Sequence, residues 1–349
     1  MTFKRIEIEN LRCLAEVVWE PRGGLNVIVG ANGAGKTSVL EAVALAATGR
    51  VLRTGGVRGA CRKGASRLRV TVTHGSGMEG AVVGYESGAE GKVWMMDGQV
   101  QRSAFAILRQ MPVMVINPEA HYVALQDGVA RRAATHWTLF HVEPLFLEIW
   151  RRYQRVLRQR NAALRQGTGL YRMFDQGLAQ LGEALLGLWE RLYGAIGPRV
   201  SDYTQALGVQ GCGAVALRVP WSPGSLEEAL KRTQGTDERL GYTQMGAHRL
   251  DLKFFLEEEP LQTVGSHGQQ KLVVSAWRLA LAEYVARQGK TPTLLVDDVA
   301  AELDTARRTA FYRVLQESGA QTIATATEEP GAPVPATTVF HVEQGRFPV

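Results

Sequence analysis

The 349-residue chain is predicted to be an α/β protein built on a buried parallel sheet, with a second, mainly helical lobe. Three observations carry that prediction. A glycine-rich octet joins an apolar strand to a helix-period segment near the N-terminus. A second short apolar strand near the C-terminus ends in two adjacent carboxylates. Between them, over 127–207, the apolar residues repeat with a helical period.

The octet is Gly30-Ala31-Asn32-Gly33-Ala34-Gly35-Lys36-Thr37, which fits the phosphate-loop pattern G-x-x-x-x-G-K-[ST]. Leu25-Asn26-Val27-Ile28-Val29 runs in as a strand, and Ser38 opens the helix that runs out over 38–47. Glycines let the loop backbone approach an anion, and the helix N-terminus turns its N–H groups toward phosphate. Lys36 is the candidate for the β- and γ-phosphates of ATP, and Thr37 for Mg²⁺. The strand–loop–helix context favours this reading over an ordinary glycine-rich turn.

The second strand is Leu294-Leu295-Val296, followed by Asp297 and Asp298. Asp297 is placed to hold the Mg²⁺ shell, and Asp298 to orient or deprotonate an attacking water. Upstream, Gly265-Ser266-His267-Gly268-Gln269-Gln270-Lys271 opens a long helical run. Ser266 is a plausible N-cap and Gly268 allows close backbone approach. Between a phosphate loop and a carboxylate-ended strand, this matches the ABC signature S-x-G-Q, with Ser266, Gly268 and Gln269 as nucleotide contacts. Ala301-Glu302-Leu303-Asp304 falls where such ATPases carry the D-loop. Lys36 and Ser266 stand 230 positions apart. In an ABC ATPase they meet one nucleotide only across a head-to-tail dimer, so an ATP-closed homodimer is expected.

The chain resembles the RecF family, the bacterial recombination mediators, nearly end to end. The carriers are Ile8-Glu9-Asn10-Leu11-Arg12, the run 24–37, Leu40-Glu41-Ala42, Thr48-Gly49-Arg50 and Asn117-Pro118-Glu119. Arg131-Arg132, the run 153–161, His248-Arg249, Gly268-Gln269-Gln270-Lys271 and the run 296–304 complete them. Cys13 departs from the family's usual Asn. The Asp-Asp and Gln-Gln pairs are unlike transporter ATPases, which carry Asp-Glu. The resemblance implies an SMC-like ABC ATPase head with ATP and Mg²⁺ as cofactors and Arg12 among the nucleotide contacts. It also implies binding of double-stranded and gapped DNA, with weak DNA-stimulated ATP hydrolysis. The pathway it implies is recombinational repair and replication restart, alongside a recombination mediator partner protein that loads the recombinase.

Three parts are expected: 1–126 as the N-terminal part of ATPase lobe I, 127–264 as lobe II, and 265–349 as the signature helix and C-terminal core. Lobe I opens on period-2 strands, at 3–8 and 67–72, with glycine-rich hairpins over 75–91 forming an antiparallel arm. A buried strand over 111–116 ends at Asn117, which is a candidate Mg²⁺-sensing Q-loop residue or a simple turn. Lobe II is too short for a long coiled coil. Residues 211–264 read as short strands, with His248 packed rather than functional. A last strand over 321–327 ends where transporters place a switch His; here the options are Thr325 or Thr327.

Net charge is +6 with three cysteines, Cys13, Cys61 and Cys212, in no metal spacing. These read as ordinary thiols of a reducing compartment. With no membrane span or leader in the sequence, the expected location is cytoplasmic. Residues 50–69 carry seven basic side chains and no acid, and so do residues 151–172, so the remainder of the chain is net negative. Basicity concentrated in this way suggests a polyanion surface. DNA-contact candidates are Arg151, Arg155 and Arg158 on one helix stripe, with Arg62 and Lys63 in the first segment; a solvated or dimer-facing stripe is the alternative. Two rival functions stand beside the first. A transporter ATPase subunit would need a membrane-coupling surface, against which the basic stripes argue. A DNA scaffold with vestigial nucleotide chemistry is opposed by the intact Lys36, Thr37 and Asp297.

Overall fold

The computed structural model describes residues 2–53, 56–75, 80–89, 91–101, 103–167, 169–298, 303–329 and 337–347. A five-stranded parallel sheet is the centre. It contains β3 (Leu25–Val29), β8 (Val113–Ile116), β12 (Thr293–Val296), β13 (Thr322–Ala326) and β14 (Thr338–His341), in the order β14-β3-β13-β12-β8. Both faces are covered, so the strands are short, nearly all-apolar runs. Ile28, Leu295, Ile323 and Val113 point to one core. Val27, Val29, Leu294, Val296 and Ala324 point to the other.

The first core lies between this sheet and a six-stranded antiparallel sheet. Its strands are β1 (Phe3–Leu11), β2 (Leu14–Trp19), β4 (Leu68–His74), β5 (Ala81–Gly88), β6 (Gly91–Met96) and β7 (Gln99–Gln101), in the order β2-β1-β4-β5-β6-β7. Helix α1 (Lys36–Thr48) is sandwiched there, with every residue from Ser38 to Ala47 buried. Two short helices, α2 (Gly56–Ala60) and α3 (Ala104–Gln110), complete this lobe.

The second core is helical. It joins α4 (Pro118–Gln126), α5 (Gly128–Val142), α6 (Phe146–Arg165) and α7 (Asp175–Ala206) to a three-stranded sheet and to later helices. That sheet is β9 (Gly213–Arg218), β10 (Asp251–Leu256) and β11 (Glu259–Pro260), with α8 (Leu226–Leu240) inserted between its strands and α9 (Leu261–Val264) after it. Then come α10 (His267–Arg287) and α11 (Thr305–Glu317). Helix α10 is buried on all sides from Leu272 to Ala282, which makes it the central helix of this lobe.

One expectation is overturned: 211–264 is not only short strands, because α8 occupies fifteen of those residues. Its start carries a capping box. The Ser225 hydroxyl accepts from the Glu228 N–H, and the Glu228 carboxylate accepts from the Ser225 N–H. The S-x-x-E spacing was visible in the sequence, but the helix is polar on its outer face and its apolar stripe is thin. His248 is packed as expected: its Nδ1 meets the Tyr153 hydroxyl at 2.8 Å, and burial pushes the ring down to about 4.

Two buried arginines organise the helical lobe. Arg131 on α5 makes a two-pronged pair with Asp251 on β10, at 2.9 and 2.6 Å, and also donates to the carbonyls of Ala124 and Leu125 at the end of α4. Arg160 on α6, fully buried, pairs with Asp175 and Asp237 at 2.7 Å each. A buried pair contributes little against apolar alternatives, but deleting one partner strands a charge.

Asp251→Ala is therefore expected to lower unfolding stability by about 3–5 kcal/mol. Burial raises the Asp251 carboxyl, but Arg131 outweighs it and holds the group below the usual carboxylate range. A depressed folded value means stability that is present above the unfolded value and lost as pH falls through the folded one. Urea titrations from pH 7 downward should show a shallower acid-side loss in Asp251→Asn than in the unaltered chain. Equal midpoints at pH 7 for Asp251→Ala and the unaltered chain would remove this pair from the stability of the lobe.

Candidate nucleotide site

The carboxyl ends of the parallel strands converge on one cleft, the usual place for a ligand on such a sheet. The phosphate loop follows β3, Asp297 and Asp298 follow β12, Asn117 follows β8, and Thr325 lies near the end of β13. The cleft holds about 440 Å³. Arg12, Asn32, Gly33, Gly35, Lys36, Thr37, Ser38, Asp298 and Thr325 line it, with two residues that sequence reasoning did not select, Cys13 and Arg53.

The loop geometry explains its glycines. Gly35, the N-cap of α1, sits at φ 112°, where an L side chain is strained. Gly30 needs no such angle, but a Cβ there would lie 2.4 Å from the Val342 carbonyl oxygen. The Lys36 ammonium donates to the carbonyls of Gly30 at 2.6 Å and Ala31 at 3.0 Å. Lys36 is buried, and burial lowers its pKa against the pull of Asp298 and Asp297.

Opposite the loop, Oδ1 of Asp297 accepts from the Thr37 hydroxyl and from the Thr325 hydroxyl, each at 2.8 Å. Thr325 Oγ1 in turn accepts from the Asp298 N–H at 3.0 Å. This selects Thr325 over Thr327 as the residue built into the site, since Thr327 lies on the exposed side of the chain. Asp298 adopts φ 51°, an uncommon angle for a non-glycine residue, and so does Arg12 at φ 53°. Arg12 sits at the tip of the β1–β2 hairpin, and its guanidinium makes a two-pronged pair with the fully buried Glu41 of α1, at 2.9 and 3.0 Å. That pair brings the hairpin tip, including Cys13, to the cleft.

The Asn117 side chain caps α4 by accepting from the Ala120 N–H at 2.7 Å. It remains next to the carboxylates, because the Asp297 N–H donates to the carbonyl of Ile116. Ala301 and Glu302 of the D-loop reading lie outside the described residues; Leu303 is buried, and Asp304 caps α11 through the Arg307 N–H.

The signature residues are not part of this cleft. Ser266 and Gln269 form a reciprocal capping box at the start of α10, at 2.9 and 3.3 Å, and a Cβ on Gly268 would meet nothing within 4 Å. Two polar contacts tie α10 to the Asn117 segment. His121 on α4 meets the Ser275 hydroxyl at 3.0 Å, and Arg278 donates to the Val115 carbonyl at 2.9 Å.

Of the DNA candidates, Arg151, Arg155 and Arg158 are all exposed on α6, and Arg62 and Lys63 are exposed on the connection to β4. Arg151 lies over the ring of Phe105, with its guanidinium carbon 4.8 Å from the centroid. The acid-free segments are not wholly free surface, however. Arg160 is buried in its ion cluster, and Arg67 and Arg69 pair with Glu86 from β5.

Fold and cleft together define an ATPase head of the SMC type. The RecF/RecN/SMC N terminal domain model matches residues 2–344. The DNA replication and repair protein RecF of Thioalkalivibrio sulfidiphilus is 34% identical over 358 residues, covering 100% of this chain and 99% of that protein. The protein of that name from Stenotrophomonas maltophilia is 36% identical over 369 residues, with 99% of each covered. A solved structure of the recombination mediator protein RecF with ATP superposes with a TM-score of 0.83 at 21% identity, covering 99% of this chain and 96% of that one. An SMC head bound to the C-winged helix domain of ScpA reaches 0.62 at 14% identity, again over 99% and 96%. The chain belongs to the RecF family of the RecF/RecN/SMC group.

Two glycines, one in the phosphate loop and one at the start of α10, separate packing from surface. Gly30→Ala should destabilise the nucleotide-free protein by about 1–3 kcal/mol, because the added methyl meets backbone. Gly268→Ala should leave its unfolding stability unchanged or slightly raised, by under about 1 kcal/mol. Comparable destabilisation by both changes would mean that the signature loop is packed within its own chain.

Proposed function

We propose that this chain is an ATP-dependent DNA-binding protein of replication and repair, acting as a homodimer that ATP closes. The observation that carries the proposal is the division of the nucleotide machinery over two separate surfaces. Lys36, Thr37, Asp297 and Asp298 share one cleft, while Ser266, Gly268 and Gln269 stand away from it with nothing of their own chain against Gly268. A second copy brought head to tail would lay its signature loop on the nucleotide of the first. The names of the relatives and of the ATP-bound neighbour support the same reading.

The residues fit ATP and Mg²⁺. The loop and the start of α1 offer N–H donors to phosphate, and Lys36 supplies the cation. Thr37 and Asp297 offer a hydroxyl and a carboxylate, the hard oxygen donors that Mg²⁺ takes alongside water and phosphate. When bound, the metal neutralises developing phosphate charge. Asp298, beside Asp297 in a strained backbone position, is the residue proposed to orient the attacking water, and hydrolysis is proposed to be slow. Arg12 is proposed to reach the nucleotide from the hairpin tip, and Asn117 to sense the metal through its place beside Asp297.

DNA is proposed to lie across Arg151, Arg155 and Arg158, with Arg62 and Lys63 contributing from the other lobe. Gapped duplex and junctions are the proposed targets, with a recombination mediator as partner protein and recombinase loading as the outcome. Among the described residues no helix is long and apolar enough to cross a membrane.

Asp298→Asn should slow hydrolysis and prolong the ATP-bound dimer, whereas Asp297→Asn should also weaken Mg²⁺-dependent nucleotide binding. Equal effects on nucleotide affinity would contradict the division of labour between the two carboxylates.

Closure and DNA binding should be coupled. A dimer holds four basic segments in fixed relation and a monomer two, so ATP should tighten binding to a gapped duplex by the factor by which DNA tightens ATP binding, about 1–3 kcal/mol. Replacing Arg151, Arg155 and Arg158 with Ala should flatten the salt dependence, by roughly 0.7–0.9 in log–log slope for each phosphate that is no longer neutralised. Identical DNA affinity with a non-hydrolysable analogue, with ADP and with no nucleotide would sink the coupled reading. An unchanged slope would return α6 to a solvated face.

A further inference from the structure

The end of the helical lobe carries a feature that neither the nucleotide cleft nor the α6 arginine stripe uses. Thirteen large apolar side chains are exposed among the described residues, and four of them gather on two segments beside the last turns of α6. Leu170 and Met173 belong to the 3-10 turn Gly169–Phe174, with 62% and 72% of their surface exposed. Leu240 and Tyr242 lie at the end of α8, exposed by 45% and 40%. Both segments are fastened to α6. The Asn161 side chain accepts from the Thr243 N–H at 2.9 Å and from its hydroxyl at 2.6 Å. Tyr171, between the two exposed residues of the turn, is buried with Ala163 and Leu164, under the guanidinium of Arg160.

Tyr171 is thus an anchor that points inward while its neighbours point out. The Tyr171 hydroxyl donates to Glu238 on α8, which ties the two segments to each other. The backbone that carries Leu170 and Met173 is held on a fixed platform, so little backbone ordering is left for binding to supply. Grouped apolar exposure of this kind marks a contact surface more often than scattered single residues do.

Charge around the patch selects its partner. Arg165 ends α6 and Arg239 lies in the last turn of α8, and neither makes an ion pair among the described residues. Arg165 runs beside Gly241, between Leu240 and Tyr242. Arg172 stands over the Tyr171 ring. Of the nearby carboxylates, Asp175 is paired with Arg160, and Glu238 is engaged by Tyr171 and held below the usual carboxylate range by that bond. A two-fold contact between copies would set these arginines against themselves. A uniformly anionic sheet of lipid would meet the ionised Glu238, and of the four apolar side chains only Tyr242 offers a nucleic-acid base a ring to stack on.

We propose that this tip is a docking site for a short amphipathic segment of another protein, apolar on one face and acidic along its edge. Leu170, Met173, Leu240 and Tyr242 receive the apolar face, and Arg165, Arg172 and Arg239 receive the acids. The proposal is independent of nucleotide binding and of Arg151, Arg155 and Arg158.

The test uses the full chain and a fluorescein-labelled helical peptide with Leu and Phe on one face and Glu along its flanks. Two control peptides carry Lys for Glu, or Ser for Leu and Phe. Fluorescence anisotropy should show the acidic, apolar peptide binding at least about tenfold more tightly than either control. Met173→Asp should weaken it by about tenfold or more. Arg165→Gln combined with Arg239→Gln should weaken it and reduce its salt dependence. All altered residues are exposed, and circular dichroism checks the fold. No preference over the controls, or full binding by Met173→Asp, overturns the proposal. So does loss, in Met173→Asp, of a concentration-dependent dimer in sedimentation, of pelleting with phosphatidylserine vesicles, or of affinity for a gapped duplex. Those three results would assign the patch to self-association, lipid or DNA respectively.

Discussion

A single carboxylate oxygen, Oδ1 of Asp297, accepts hydrogen bonds from Thr37 at the start of α1 and from Thr325 on β13. Three elements distant in sequence meet on that atom. The geometry follows from the sheet. Parallel strands bring all their carboxyl ends to one edge, and both faces are covered, by the helical lobe on one side and by α1 with the antiparallel sheet on the other. The two aspartates can sit there because the strand before them is short and buried on both sides. The hydroxyls fix which way the carboxylate faces, and the backbone of Asp298 is tied to the same threonine. The rest of the cleft, from the Lys36 contacts to the strained angle at Asp298, is arranged around this meeting point.

The helical lobe is linked to that edge by polar ties through a mostly apolar core. Arg131 holds the end of α4, and α4 begins at the cap made by Asn117. Ser275 and Arg278 of α10 reach back to the same stretch of chain. Helix α10 is buried all round, so its first turn, with Ser266 and Gln269, stands on one of the most fixed elements of the molecule. Asn117 and α10 are thus joined through packed, hydrogen-bonded groups.

Much of this was legible in the sequence because the chemistry demands particular residues at particular spacings. The phosphate loop, the two aspartates and the capped start of α10 each combine a residue type with a local context, and local context survives into the fold. The arginine stripe on α6 followed from helical period and proved exposed at Arg151, Arg155 and Arg158. Arg160, equally basic and equally local, is buried, because its partners Asp175 and Asp237 come from elsewhere in the chain. Pairings of that range leave no periodic signal. Thr325 over Thr327, and the arrival of Cys13 and Arg53 at the cleft, were beyond sequence reading for the same reason. Helix α8 was missed for another: its cap was readable, but a polar outer face hid the apolar stripe.

The hairpin tip at Arg12 has a consequence for how such a protein changes over generations. Its guanidinium is paired to Glu41, which has no exposure to water. Losing Arg12 alone strands a buried charge; losing Glu41 alone leaves a residue in a left-handed backbone conformation without the partner that holds it. Either single change leaves a poorer protein than the paired one. The ion pair therefore couples the two positions, although they stand 29 positions apart in the chain.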